Sequence, residues 1–192
     1  YSGNLSYKDK EEDIGTTGPS HPRACYIEGK RTGEAIVNAS RDSGINAVSV
    51  RLALAYGPGV KSDDARVLNQ LVSKGLKGSI DLLDSGSAIR TYGYIADIII
   101  MLFNILLKNN YSVFNVGGES TLSIKELAEK IGTKTNSKVS IPERSHLSIE
   151  GAPSEVKLDL SRIKSEYGHA KYLNMEEGLE RTIEWIQNYQ EV

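Results

Sequence analysis

Tyr26 and Lys30 are the residues in this sequence whose types and spacing best suit chemistry. They stand four positions apart in Tyr26-Ile27-Glu28-Gly29-Lys30. On a helix, residues four apart share a face, so the phenol and the ammonium can enter one site. A free tyrosine has a pKa of about 10 and is a poor base at neutral pH. A fixed cation nearby favours the phenolate, and the tyrosine can then take a proton from a substrate hydroxyl as a general base. The spacing alone is common, so its surroundings must carry the argument. Cys25, just before the tyrosine, has no neighbour that obviously lowers its pKa and is expected to be a small packing residue. His21, His146 and His169 lack metal-ligand spacing, and no metal site is expected. Asp63-Asp64 reads as a turn or a helix cap.

The elements that must hold the pair can be read along the chain. Residues 1–23 are rich in Gly, Pro, Ser and charge and read as a loop. A helix is expected over 24–41, stopped by Gly44, then a buried strand over 46–55 that runs into the turn Tyr56-Gly57-Pro58-Gly59. Further helices are expected over 66–76, 95–108, 123–131, 161–167 and 174–190, the one over 95–108 mostly buried. Short strands are expected over 80–83, 113–116 and 138–141. Alternation of helices and strands predicts an α/β fold with a partly parallel sheet. A Gly-x-Gly-x-x-Gly loop between a strand and a helix is found nowhere in the sequence, so these residues alone offer no recognisable site for a dinucleotide pyrophosphate.

The 192 residues suffice for one domain or two small ones, and 39% hydrophobic with 25% charged residues is ordinary for a globular protein. A net charge of -2 gives no electrostatic case for nucleic acid or an anionic membrane. Apolar runs fall short of the roughly 20 residues of a membrane helix. One cysteine excludes an internal disulfide, and a reducing cytoplasm is the expected compartment.

Pro22-Arg23-Ala24-Cys25-Tyr26-Ile27-Glu28-Gly29-Lys30-Arg31 resembles the active-site helix of extended short-chain dehydrogenases, in the NAD-dependent epimerase/dehydratase family. Its likeness is greatest to the UDP-glucuronate decarboxylase (UDP-xylose synthase) branch. The resemblance continues in order through Arg51 to Pro58, Asp64-Ala65-Arg66-Val67, Ser85 to Tyr92 with Tyr94 to Asp97, Phe114 to Gly118, Asp159 to Arg162 and Glu176 to Leu179. It implies the C-terminal part of a Rossmann-type doubly wound sheet plus a small α/β substrate-binding region. Residues 1–60 would end the dinucleotide-binding domain. Residues 61–192 would mainly bind the sugar nucleotide, with 91–116 returning to the main sheet. Tyr1 falls where the family has the tyrosine of a Ser/Thr-x-Glu-Val-Tyr-Gly strand end, so the chain is expected to be a piece of a longer enzyme, with the Gly-rich NAD-binding half upstream and little activity of its own.

By the same resemblance Tyr26 would deprotonate a sugar 4-hydroxyl while NAD accepts the C4 hydride. Lys30 would favour the phenolate and hold the nicotinamide ribose, and Arg66, Arg90 and Tyr92 would bind the substrate. The resemblance further implies a lyase of carbohydrate biosynthesis and a homodimer through the Tyr26-Lys30 helix. Alternatives are a nucleotide-sugar 4,6-dehydratase or 4-epimerase, or a non-catalytic binding module or divergent paralogue. Two positions depart from the family: Leu54 stands where an Asn amide contacts the diphosphate, and Lys157 is the only cation where an Arg is usual.

Overall fold

Residues 9–15, 17–108, 110–142, 152–168 and 172–189 are described by a computed structural model. The strand expected over 46–55 serves two sheets. Its first part, β1 (Ser49–Leu52), pairs in parallel with the strand at Val113–Val116, and its second, β2 (Leu54–Tyr56), pairs in parallel with that at Ile89–Tyr94. Ala53 is the pivot, its N–H bonded to the Val116 carbonyl at 2.8 Å. Two helices flank this segment in sequence, α1 (Ala24–Asp42) before it and α2 (Val67–Leu76) after it. Then follow β3 (Ser79–Asp81), β4 (Ile89–Tyr94), α3 (Ile95–Leu107) and β5 (Val113–Val116). The remainder is β6 (Ser120–Ser123), α4 (Ile124–Thr135), β7 (Lys138–Ser140), β8 (Glu155–Val156), α5 (Ser161–Tyr167) and α6 (Met175–Tyr189).

The expected α/β architecture is present, with parallel pairs β1–β5, β2–β4, β3–β7 and β4–β8 and one antiparallel pair, β4–β6. Glycine is required where the two sheets meet. A Cβ on Gly117 would stand 2.6 Å from the Ala53 Cβ, and one on Gly118 would stand 2.5 Å from the Tyr92 carbonyl oxygen. Neither approach is sterically available to a larger residue. β8 adds two residues in parallel beside β4, and residues 143–151 lie outside the described residues. Expected positions His146 and His169 also lie outside them.

Apolar side chains gather in two cores. Val72 of α2, Ile80 of β3, Leu127 and Ile131 of α4, and Leu179 and Ile186 of α6 are buried in the first. Ile98 and Ile105 of α3, Phe114 and Val116 of β5, and Ile163 of α5 fill the second. Each such side chain contributes about 1.5–3 kcal/mol through removal from water. The expectation of a mostly buried helix over 95–108 is corrected by α3. Ile98, Met101 and Ile105 are buried at helical spacing, whereas Ile99, Ile100, Phe103, Leu106 and Leu107 are exposed. Only one stripe of a helix can face one sheet layer. Helix α1 buries none of its 19 residues, and Cys25 on it is exposed rather than packed.

The start of α4 is fixed by a capping box. The Ser123 hydroxyl accepts from the Glu126 N–H at 3.1 Å, and the Glu126 carboxylate accepts from the Ser123 N–H at 2.7 Å. The Ser123 N–H and hydroxyl, both donating to that carboxylate, hold the Glu126 carboxyl below its usual pKa. Replacing Ser123 by Ala is expected to cost about 1 kcal/mol in urea unfolding at neutral pH. Because the folded pKa of Glu126 lies below the unfolded one, its contribution is present above the unfolded value and is lost as pH falls through the folded one. The gap between wild type and Glu126→Gln should therefore narrow in acid.

Candidate active site

Helix α1 is fastened over the first sheet by charge. Arg51 of β1 donates to both carboxylate oxygens of Glu34 on α1, at 2.7 and 2.9 Å, and to the Glu11 carbonyl at 3.1 Å. Arg31 donates to the carbonyls of Ile14, Gly15 and Thr17 at 2.9–3.2 Å, which ties the preceding segment to the helix. The two ends of this brace are partly buried, so their geometry is fixed better than that of a surface pair. The Arg23 N–H donates to His21 Nδ1 at 3.1 Å as the helix begins.

This arrangement turns Tyr26 and Lys30 into an open cleft of about 950 Å³. The cleft lies between the first turns of α1, the β1–β2 segment, β4 and residues 152–158. Tyr26 is 57% exposed. Lys30 Nζ lies 5.5 Å from its ring centroid and the Arg23 guanidinium carbon 5.1 Å from it. Two cations thus flank one phenol, within the range of cation–π attraction. Arg90 lines the same cleft, where it donates to the carbonyls of Ile89, Pro153 and Ser154 at 2.7, 2.9 and 3.3 Å. Burial holds the Arg90 guanidinium below the usual arginine pKa, and the positive charge of Arg23 acts in the same direction.

Three of the five sequence-predicted site residues, Tyr26, Lys30 and Arg90, share this cleft. Arg66 lines a separate cavity of about 150 Å³ with Gly57, Pro58, Gly59 and Asn69. Its guanidinium is held by both oxygens of Asp64, with contacts of 2.6–3.0 Å, and the Asp64 carboxyl is lowered in pKa chiefly by that hydrogen bond. Tyr92 is 1% exposed, and its ring meets Tyr56 edge to face within the first core. Among the described residues its hydroxyl has no hydrogen-bond partner. Burial pushes it up to about 12, against a smaller downward pull from Arg90.

Leu54 lines the cleft with Leu52 and Ala53, so the wall is apolar where the resemblance implies an amide. Lys157 pairs with Glu155 at 2.9 Å, while its neighbours Val156 and Leu158 face the cleft. Arg23 was not among the expected site residues. Its signal was available: it stands three residues before Tyr26, on the same side of the helix start. The brace from Arg51 to Glu34 had no local signal, being made between residues 17 apart. Among the described residues no cluster of metal-ligating side chains occurs, and no helix is long and apolar enough to cross a membrane.

Comparison with known proteins gives one consistent result. Residues 3–117 match the NAD dependent epimerase/dehydratase family. UDP-glucuronic acid decarboxylase 1 of Arabidopsis thaliana is 26% identical over 190 residues, covering 98% of this chain and 43% of that protein. The Xenopus tropicalis UDP-glucuronic acid decarboxylase 1 is 29% identical over 182 residues, covering 94% of this chain and 43% of the relative. The chain therefore spans about half the length of the curated relatives it matches. Among solved structures, UDP-glucose 4-epimerase of Thermotoga maritima with UDP-glucose superposes with a TM-score of 0.82 at 22% identity, over 99% of this chain and 60% of that one. For dTDP-glucose 4,6-dehydratase of Bacillus anthracis in complex with NAD, the TM-score is 0.80 at 18% identity, over 98% and 58% of the two chains. At such identities these two likenesses speak for the fold.

The buried Tyr92 hydroxyl makes a measurable prediction. Removing an unpaired buried polar group relieves its desolvation, so Tyr92→Phe should leave stability unchanged or raise it by about 1 kcal/mol below pH 10. The folded pKa lies above the unfolded one, so the neutral phenol's advantage is complete below the unfolded value and is lost as pH rises through about 12. Absorbance titration of phenolate should lose a late-titrating tyrosine in this variant. A loss of several kcal/mol at neutral pH would instead assign that hydroxyl a bonded role.

Proposed function

The chain belongs to the NAD dependent epimerase/dehydratase family, and on that premise we propose that it carries the catalytic tyrosine and much of the sugar-nucleotide site of an enzyme of UDP-glucuronate decarboxylase type. The observation that carries this reading is the exposed Tyr26 phenol in a cleft with Lys30 and Arg23 against its ring and Arg90 in the same cavity. The decarboxylase branch is favoured by the relatives' names and by the Arg23-Ala24-Cys25-Tyr26 segment. In this reading residues 1–60 close the dinucleotide-binding domain. Residues 61–192 mainly hold the sugar nucleotide, with 91–116 in the main sheet.

Tyr26 takes the proton of the sugar 4-hydroxyl through its phenolic oxygen. Lys30 stabilises the phenolate by charge and, with its remaining donors, holds the ribose hydroxyls of the nucleotide cofactor. Both groups fit that role, since among the described residues the Lys30 ammonium has no carboxylate partner and both side chains open to the cleft. NAD, when bound, supplies hydride acceptance and return at C4. Oxidation there makes a hexuronate a β-keto acid, so the C5–C6 bond breaks with release of CO2 and its electron pair passes into the enolate. Arg90 is already anchored through three carbonyls and keeps donors for the diphosphate oxygens, which a planar guanidinium can bind in pairs. Arg66 would contact the nucleotide only by sharing or releasing Asp64. Helix α1 is the surface through which the implied homodimer would form, since the single chain leaves it without a buried residue.

The full-length protein, given NAD and UDP-glucuronate, should release CO2 and form a pentose nucleotide. Tyr26→Phe should lower that rate by roughly 100- to 10,000-fold while the circular dichroism spectrum stays unchanged. A wild-type rate in that variant would remove the catalytic assignment. A 4-keto or epimerised hexose made from another nucleotide sugar, with no CO2, would keep Tyr26 and move the substrate.

A further inference from the structure

Arg23 differs from every other described arginine. The others, from Arg31 to Arg181, each donate to a carboxylate or a carbonyl oxygen. The Arg23 guanidinium donates to none among the described residues, and its contact is the Tyr26 ring, 5.1 Å from the centroid. It is half-buried at the cleft wall. A cation drawn partly out of water without an anion gains when one arrives. Among the described residues the cleft offers few internal candidates, because Asp9 is the only carboxylate in its lining and is itself buried.

The substrate chemistry says which anion belongs there. In a hexuronate the carboxylate carbon is joined to C5, and three bonds separate it from the oxygen on C4. A sugar whose 4-hydroxyl meets Tyr26 must therefore carry its carboxylate close to the groups around that phenol. Lys30 is occupied with the phenolate and the ribose in the proposed reading. Arg90 is bound to the carbonyls of Ile89, Pro153 and Ser154. Among the described residues Arg23 alone beside Tyr26 has its planar fork uncommitted, and that shape pairs with a carboxylate through two parallel hydrogen bonds.

We propose that Arg23 is the specificity residue of this site, binding the C6 carboxylate of a hexuronate nucleotide while Tyr26 addresses its 4-hydroxyl. This rests on Tyr26 being the base, and it adds a discrimination by charge between a uronate and the matching neutral hexose. A neutral hexose leaves Arg23 unpaired, whereas a uronate completes it. The apolar wall of Leu52, Ala53 and Leu54 offers no competing donor on that side.

Calorimetry on the full-length protein, with UDP-glucuronate and UDP-glucose as probes, tests the assignment. Wild type should bind UDP-glucuronate more tightly. Arg23→Gln should weaken UDP-glucuronate binding by roughly 10- to 100-fold, the worth of a charge-assisted hydrogen bond. UDP-glucose binding should stay within about twofold, which also reports an intact fold, since Gln retains hydrogen bonding without charge. Arg23→Lys, a point charge without the fork, should fall between. Equal loss for both probes, no loss for either, or a wild type without preference would each overturn the proposal. CO2 release measured in parallel judges the decarboxylase reading separately. The expected binding ratios without CO2 would sink decarboxylation and leave Arg23 as the uronate reader. CO2 release with unchanged ratios in Arg23→Gln would sink the role of Arg23 alone.

Discussion

Much of this structure depends on the close passage at Ala53, where one extended segment leaves the sheet it forms with β5 and joins the sheet it forms with β4. Gly117 and Gly118 make the passage possible, because a side chain at either would collide with Ala53 or with the Tyr92 carbonyl. The backbone bond from Ala53 to Val116 and that from Gly118 to Tyr92 close the junction, at 2.8 and 3.2 Å. The cleft opens along this junction. Leu52, Ala53 and Leu54 form one wall, while β4 carries Arg90 into the same space.

A second constraint fixes α1 against that wall. The helix has little apolar surface turned inward, so the hydrophobic effect alone does not station it within the described chain. Arg51–Glu34 and the three carbonyls that receive Arg31 take that part. Removing one end of a partly buried pair leaves the other charge uncompensated, so loss of Glu34 or Arg51 would disturb Tyr26 at a distance. Charge therefore positions charge: committed arginines build the frame, and uncommitted Arg23 and Lys30 are left to face whatever enters.

The exposed stripes of α3 have the same origin as the exposed α1. A helix of uniform apolar composition is suited to contact on more than one side, and among the described residues it is the side toward β2, β4, β5 and α5 that is covered. The chain spans about half the length of its curated relatives, so its surface is not that of a whole relative. Composition along α3 was misleading about burial because burial depends on which layers are present.

What the sequence alone determined was local or carried in an ordered run of motifs. The helix with Tyr26 and Lys30 on one face, the turns and the α/β alternation follow from spacing and residue type, and the family from the resemblance of an ordered run of motifs. These act over a few residues, so they are legible without a fold. β4 and β6 escaped because Arg90, Gly93 and a polar Ser120-Thr121-Leu122-Ser123 run carry no apolar alternation, and their pairing with each other decided them. Tertiary structure alone brought Arg90 into the Tyr26 cleft, kept Arg66 with Asp64 in another cavity and buried Tyr92 against Tyr56. It also left Arg23 without an oxygen to bind among the described residues, since a side chain's partners come from segments distant in sequence. Which groups are satisfied and which wait for a ligand is a property of packing.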